Sequence, residues 1–92
     1  MTVYCVNYDL RKSDDSYPGL IAALKKYAAV SGGKPLKSTW MINTADTPDQ
    51  IFNAMAPHLD TNDGVLIVQA NAPAKWYGLP DGWTEWLKSN LR

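Results

Sequence analysis

The chain has 92 residues, nine basic and nine acidic, for a formal net charge of zero; that argues against broad duplex binding, which rests on a basic stripe, and leaves open a small nucleotide or short strand held by local contacts. With 46% hydrophobic and 20% charged residues, the composition is that of a folded globule and excludes a disordered segment. The length is that of one small domain, residues 1–92, with a modest core that dimerisation would help to stabilise.

Residues 2 to 10 alternate as a strand, with Tyr4, Val6, Tyr8 and Leu10 on one face and Val3, Cys5, Asn7 and Asp9 on the other. A charged loop, 11 to 15, leads to a helix N-capped by Asp15 or Ser16, with Pro18 in its first turn. Leu20, Ile21, Leu24, Tyr27 and Ala28 form its apolar stripe. "SGGKP" (31–35) reads as the turn that ends it. A second extended region, 36 to 44, puts Trp40 and Ile42 on one face and Thr39, Met41 and Asn43 on the other, with a short edge strand around 34 to 38 preceding it in a hairpin or bend. "TPDQ" (47–50) starts the next helix, with Thr47 as N-cap, Pro48 at the first position and Gln50 closing a capping box. That helix carries Ile51, Phe52 and Met55. "DTNDG" (60–64) is a turn, and "VLIVQA" (65–70) is a buried strand with Leu66, Val68 and Ala70 on one face. Residues 74 to 92 form a C-terminal extension: a loop carrying Trp76 and Tyr77, then a short Trp-rich helix over 81 to 91 with Trp83, Trp86 and Leu87 inward.

This order predicts an α+β fold of the ferredoxin-like type, with two helices on one face of the sheet and a short C-terminal Trp-rich helix. The first strand and the Trp40 strand are expected to be central and parallel, with their C-terminal ends together. Tyr4, Val6, Tyr8, Trp40, Ile42, Leu66 and Val68 then face the helices. Val3, Cys5, Met41, Val65 and Ile67 form an uncovered apolar face suited to a homodimer, with possible further assembly. Asn7, Asp9 and Asn43 are expected at one end of that face, rimming the dimer cleft.

One cysteine, Cys5, excludes an internal disulfide and fits a reducing cytoplasm. No signal-peptide pattern is visible, and no apolar stretch approaches the roughly 20 residues that span a bilayer. Asp9 reads in two ways. A hard divalent ion needs several oxygen ligands, and one aspartate with Asn7 and Asn43 nearby supplies few unless symmetry doubles them; otherwise Asp9 caps the following loop or pairs with Arg11 or Lys12. The acids of "DDSYPG" and "DTNDG" lack calcium-loop spacing. The lone His58 has no zinc partners. Arg11 and Lys12 are candidate phosphate contacts or a solvated loop. Lys75, Trp76 and Tyr77 join a cation to exposed aromatics, the means of stacking a base and touching its phosphate; the aromatics alternatively close the core.

"VYCVNYDL", the charged loop and "LIAALKKY" resemble the opening of the small CRISPR-associated protein that bridges integrase dimers in spacer acquisition. "STWMINT", "PHLDTNDG" and "LPDGWTEWL" resemble, over almost the whole chain, small bacterial and phage proteins of the SinR family. The resemblance implies a ferredoxin-like homodimer. It also implies, for Asp9, a divalent metal such as magnesium shared between subunits for phosphodiester cleavage, and, from the phage relatives, counter-defence by sequestering a host nucleotide signal. The Trp-rich C-terminus and neutral charge depart from an integrase-bridging scaffold.

The expected function is therefore a non-catalytic homodimeric module with no cofactor, taking up a nucleotide-type ligand or short nucleic acid through Asn7, Asp9, Arg11, Lys12, Asn43, Lys75, Trp76 and Tyr77. The alternatives are a metal-dependent nuclease with paired Asp9 carboxylates, and a protein-interaction adaptor.

Overall fold

A computed structural model describes residues 1–92. Strand β1 (Thr2–Asp9) leads through a single helical turn at Asp14–Ser16 to helix α1 (Pro18–Val30), strands β2 (Gly32–Leu36) and β3 (Thr39–Thr44), and helix α2 (Pro48–Met55). A helical turn at Ala56–His58, strand β4 (Gly64–Gln69) and helix α3 (Trp83–Asn90) complete the α+β chain. The four strands form one sheet in the order β2-β3-β1-β4, antiparallel at every junction.

Local chemistry sets several of these boundaries. The Thr47 hydroxyl accepts from the Gln50 backbone N–H at 3.2 Å and the Gln50 side chain accepts from Thr47 N–H at 2.8 Å, so the expected capping box starts α2. Pro18 opens α1, where a missing N–H costs nothing. The chain leaves α1 at Ser31 and turns straight into β2 at Gly32, which has φ of +138°. The segment "SGGKP" is thus mostly edge strand where a turn was expected. An edge strand pairs on one side only and tolerates Pro35 and a register shift between Gly33 and Leu36.

Strand direction corrects a second expectation. β1 and β3 are neighbours but antiparallel, with Val6 opposite Trp40 and Tyr4 opposite Ile42. The cause is the two-residue connection Lys37–Ser38, which makes β2 and β3 a hairpin; β1 runs parallel to β2, as its helical crossover requires, and so opposes β3. Asn43 consequently pairs with Val3, at the far end of β1 from Asn7 and Asp9. The expected Asn7–Asp9–Asn43 cluster does not form.

The main core lies between the sheet and α1 plus α2: Val6, Tyr8, Trp40 and Ile42 meet Leu20, Leu24, Ile51 and Met55, with Tyr4 packed at its margin. β4 contributes Val65 and Ile67 to this side, not Leu66 and Val68. Ile67 opposes Val6 and Val65 opposes Tyr8, and paired residues share a face, so a one-residue slip in parity inverts the assignment. Of the apolar residues that α2 carries, Ile51 and Met55 are buried and Phe52 is exposed. A second cluster lies on the opposite face, where Leu87 seals Val3 and Met41, flanked by Cys5, Trp76, Leu79, Trp83 and Trp86. The face expected to be bare is therefore covered in large part by the C-terminal extension, whose tryptophans supply area that a short chain lacks elsewhere.

Tyr27 ties α1 to the segment ahead of α2, donating its hydroxyl to Asp46 Oδ2 at 2.7 Å. Loss of solvation, then the hydrogen bond and negative charge of Asp46, push its pKa from 10.0 up to about 12. The folded state holds the proton that the unfolded chain releases near pH 10, so the contribution is complete below pH 10 and is lost as pH rises toward 12. Tyr8 and Tyr17 are shifted upward too, each chiefly by burial. Thermal unfolding followed against pH is expected to show stability falling from about pH 10 onward, with a shallower fall in Tyr27→Phe. An identical slope in that variant would remove Tyr27 as a cause.

Candidate functional site

A groove of about 380 Å³ lies on the α3 side of the sheet, within the size range of small-ligand sites. Its floor is Cys5 and Asn7 of β1 with Thr39 and Met41 of β3; Leu36 stands at one wall and Leu87 with Leu91 at another. The loop between β4 and α3 closes it with Lys75, Trp76, Tyr77 and Leu79. The lining is mainly apolar, and its polar groups converge. The Thr39 hydroxyl donates to Asn7 Oδ1 at 2.9 Å, and Asn7 Nδ2 lies 3.4 Å from Cys5 Sγ, a weak acceptor. This fixes the Asn7 amide with its donor engaged only by sulfur. Trp76 is fixed by its indole N–H, which donates to Thr84 Oγ1 at 3.0 Å. Tyr77, by contrast, is 96% exposed, a large aromatic held in water beside Lys75.

Of the residues singled out from sequence, the fold brings Asn7, Lys75, Trp76 and Tyr77 together here. It separates the rest. Asp9 is exposed at the end of β1, opposite Gly64, and makes neither the loop-capping hydrogen bond nor the ion pair with Arg11 or Lys12 that were its expected alternatives. With Lys12 it borders a different, polar depression that also takes in Asp14, Lys34 and Lys37. Arg11 is exposed, and its backbone N–H donates to Asp63 Oδ1 at 2.8 Å. Asn43 lies at the far end, where its Nδ2 donates to Asn90 Oδ1 at 2.9 Å.

The acidic clusters have structural work. Asp63 accepts from Arg11 N–H, from Asp60 N–H at 2.7 Å and from the Tyr17 hydroxyl at 2.9 Å. Partial burial raises its pKa, but those three donors outweigh it and hold the carboxyl below its ordinary value. Asp14 accepts from Lys34 Nζ at 2.7 Å and from the Tyr8 hydroxyl at 3.1 Å, while Tyr8 accepts from the Trp40 indole at 3.0 Å. No group of three or more His, Cys, Asp or Glu side chains is gathered in a way that could hold a metal ion. A wider depression of about 750 Å³ over Gly19, Ala22, Ala23 and Lys26 is lined also by His58 and by Tyr27, whose hydroxyl is already engaged by Asp46.

Sequence reasoning missed Leu36, Thr39, Leu79, Leu87 and Leu91 as groove residues. Thr39 had a signal, since it shares with Met41 the parity opposite Trp40; Leu79, Leu87 and Leu91 had none, because only the return of α3 across the sheet brings them in, and Leu36 enters from the edge strand β2. No protein-family model, curated protein or solved structure matches this chain.

Proposed function

We propose that this protein is a non-catalytic binding module that takes up a nucleotide-type ligand in the groove between the outer face of β1 and β3 and the Trp76–Tyr77 loop. The observation that carries the reading is the exposed Tyr77 ring beside Lys75 at the mouth of a mainly apolar groove. Such a ring can stack a base, and the adjacent cation can meet a phosphate. Asn7 and Thr39 at the floor supply the few polar groups that orient a ligand in a pocket of this kind. The scaffold is read as ferredoxin-like. Its strand order, its antiparallel pairing and the placement of α1 and α2 on one face support that reading, with α3 as an addition on the other face. Sequestering a nucleotide signal, the role implied by the resemblance to small phage proteins, is the biological form of this proposal.

The test is a thermal-shift and calorimetric screen of linear and cyclic nucleotides against the wild type and Tyr77→Ala. A ligand that binds only the native state raises Tm by mass action. Removing the Tyr77 ring is expected to weaken binding about 5- to 150-fold, since a stacked base contributes about 1–3 kcal/mol. The unliganded Tm should be unchanged, because the ring has almost no protein contact to lose. A screen with no shift, or a ligand bound equally well by Tyr77→Ala, would count against the groove.

A further inference from the structure

We infer that β4 is a self-pairing edge, and that a second copy of this chain docks on it antiparallel to form a continuous eight-stranded sheet. The two edges of the sheet differ in kind. β2 carries the features that stop strands from adding: Pro35 without an N–H, Lys34, and an irregular register between Gly33 and Leu36. β4 reads Gly-Val-Leu-Ile-Val-Gln, with no proline, no charge and unbroken pairing to β1. A regular, apolar and uncharged edge left open is an aggregation hazard unless it has a partner.

A second copy of the same strand fits this edge. The Ala70 N–H donates to Val3 O at 2.9 Å, and antiparallel ladders alternate, so Gly64, Leu66 and Val68 turn their backbone groups toward β1. Val65, Ile67 and Gln69 turn theirs outward. A two-fold axis at Ile67 sets Ile67 against its own copy, and Val65 against Gln69 of the partner subunit. All outward N–H and C=O groups of both copies are then satisfied at once, as an isologous interface requires. The same register lays Leu66, 60% exposed, against Val68 of the partner subunit, 42% exposed in the single chain, in a close non-hydrogen-bonded pair on the groove face. No charge opposes a like charge anywhere in this pairing. Leu66 and Val68 neighbour Asn7 and Cys5, so the partner extends the apolar floor beside each groove.

The arrangement also bears on Asp9. It lies three positions along β1 from Val6, the residue opposite Ile67. Strand rise and spacing then put the two Asp9 carboxylates about 25 Å apart, too far to share one ion.

The test is sedimentation velocity and light scattering of the full chain from nanomolar to submillimolar concentration, without ligand, so that the outcome is independent of the groove reading. A dimer is expected. Gln69→Pro removes an outward N–H from each copy but none used by β1, and should weaken the dimer about 30-fold at unchanged far-UV circular dichroism. Leu66→Lys with Val68→Lys, both at exposed positions, should abolish it. In a Cys5→Ser background, an equimolar mixture of Leu66→Cys and Val68→Cys chains should form the mixed disulfide in preference to either homodisulfide. A monomer throughout would overturn the proposal, as would a dimer indifferent to both β4 variants, or crosslinks without preference for the 66–68 pair.

Discussion

Gly32→Ala is expected to be the most damaging small substitution in the chain, lowering stability by about 3–4 kcal/mol. Gly32 has φ of +138°, a conformation that L side chains rarely adopt, and a Cβ added there would run into the Met41 carbonyl oxygen and crowd the Ile42 Cα. Those are backbone atoms of the adjacent central strand, so no side-chain rotation relieves the collision. Either β2 moves off β3 or the α1–β2 junction rebuilds. For a domain of this size, where total stability is about 5–15 kcal/mol, that is a large fraction, and Tm should fall by about 15–25 °C. Two neighbouring comparisons isolate the cause. Gly33→Ala meets Trp83 Cζ2 at 3.0 Å, a side-chain contact that α3 can accommodate by shifting, and should cost less. Gly64→Ala meets nothing within 4 Å, and should be neutral or slightly stabilising through the unfolded state. Chemical denaturation of the three variants gives the ranking; a mild Gly32→Ala would show that the tight α1-to-β2 passage is not constraining.

That glycine also shows where sequence reading stops. The pair Gly32–Gly33 followed by Lys34–Pro35 has the composition of a turn, and nothing local distinguishes it from an edge strand; only the neighbouring Met41 and Ile42 backbone does. Elements controlled by nearby residues were legible. Thr47, Pro48 and Gln50 marked the start of α2 to the residue, and the spacing of Leu20, Leu24 and Tyr27 placed α1 and its inward face. The parity of β1 and β3 was legible too, because their two faces differ in polarity. β4 was not, since Val65 to Val68 are apolar on both faces, and only the pairing of Val6 with Ile67 decides which face turns inward. The site divides along the same line. Lys75, Trp76 and Tyr77 stood out as a cation beside aromatics in one loop, and Asn7 as a polar residue on an outward face. Asn43 was misplaced because its position depends on the direction of β3, which follows from the short Lys37–Ser38 link.

Truncating Leu87 is expected to loosen one face of the protein and leave the other folded. Leu87 is the buried residue of α3, seated on Val3 and Met41, in a cluster separate from the one that α1 and α2 form. Leu87→Ala removes that contact and leaves a cavity, at a cost of about 2–4 kcal/mol. The loss should be unevenly shared. α3 is eight residues long, its N-cap Gly82 offers no side-chain hydrogen bond, and a helix so short depends on its tertiary contacts. The main core keeps Leu20, Leu24, Ile42, Ile51 and Met55 fully buried without help from α3. Hydrogen exchange in Leu87→Ala should therefore quicken across residues 83–91 while α1 and the β1–β3 ladder retain most of their protection, the pattern of a sub-global opening. Trp83 and Trp86, whose rings meet edge to face at 5.2 Å, should shift to more solvated fluorescence, whereas Trp40 should not. Because Leu87 also walls the groove, ligand affinity should fall with the docked fraction of α3, unlike Tyr77→Ala, which removes a contact and leaves the helix in place. Uniform loss of protection over both faces would mean that the two clusters melt as one, and that the groove is as rigid as the core beneath it.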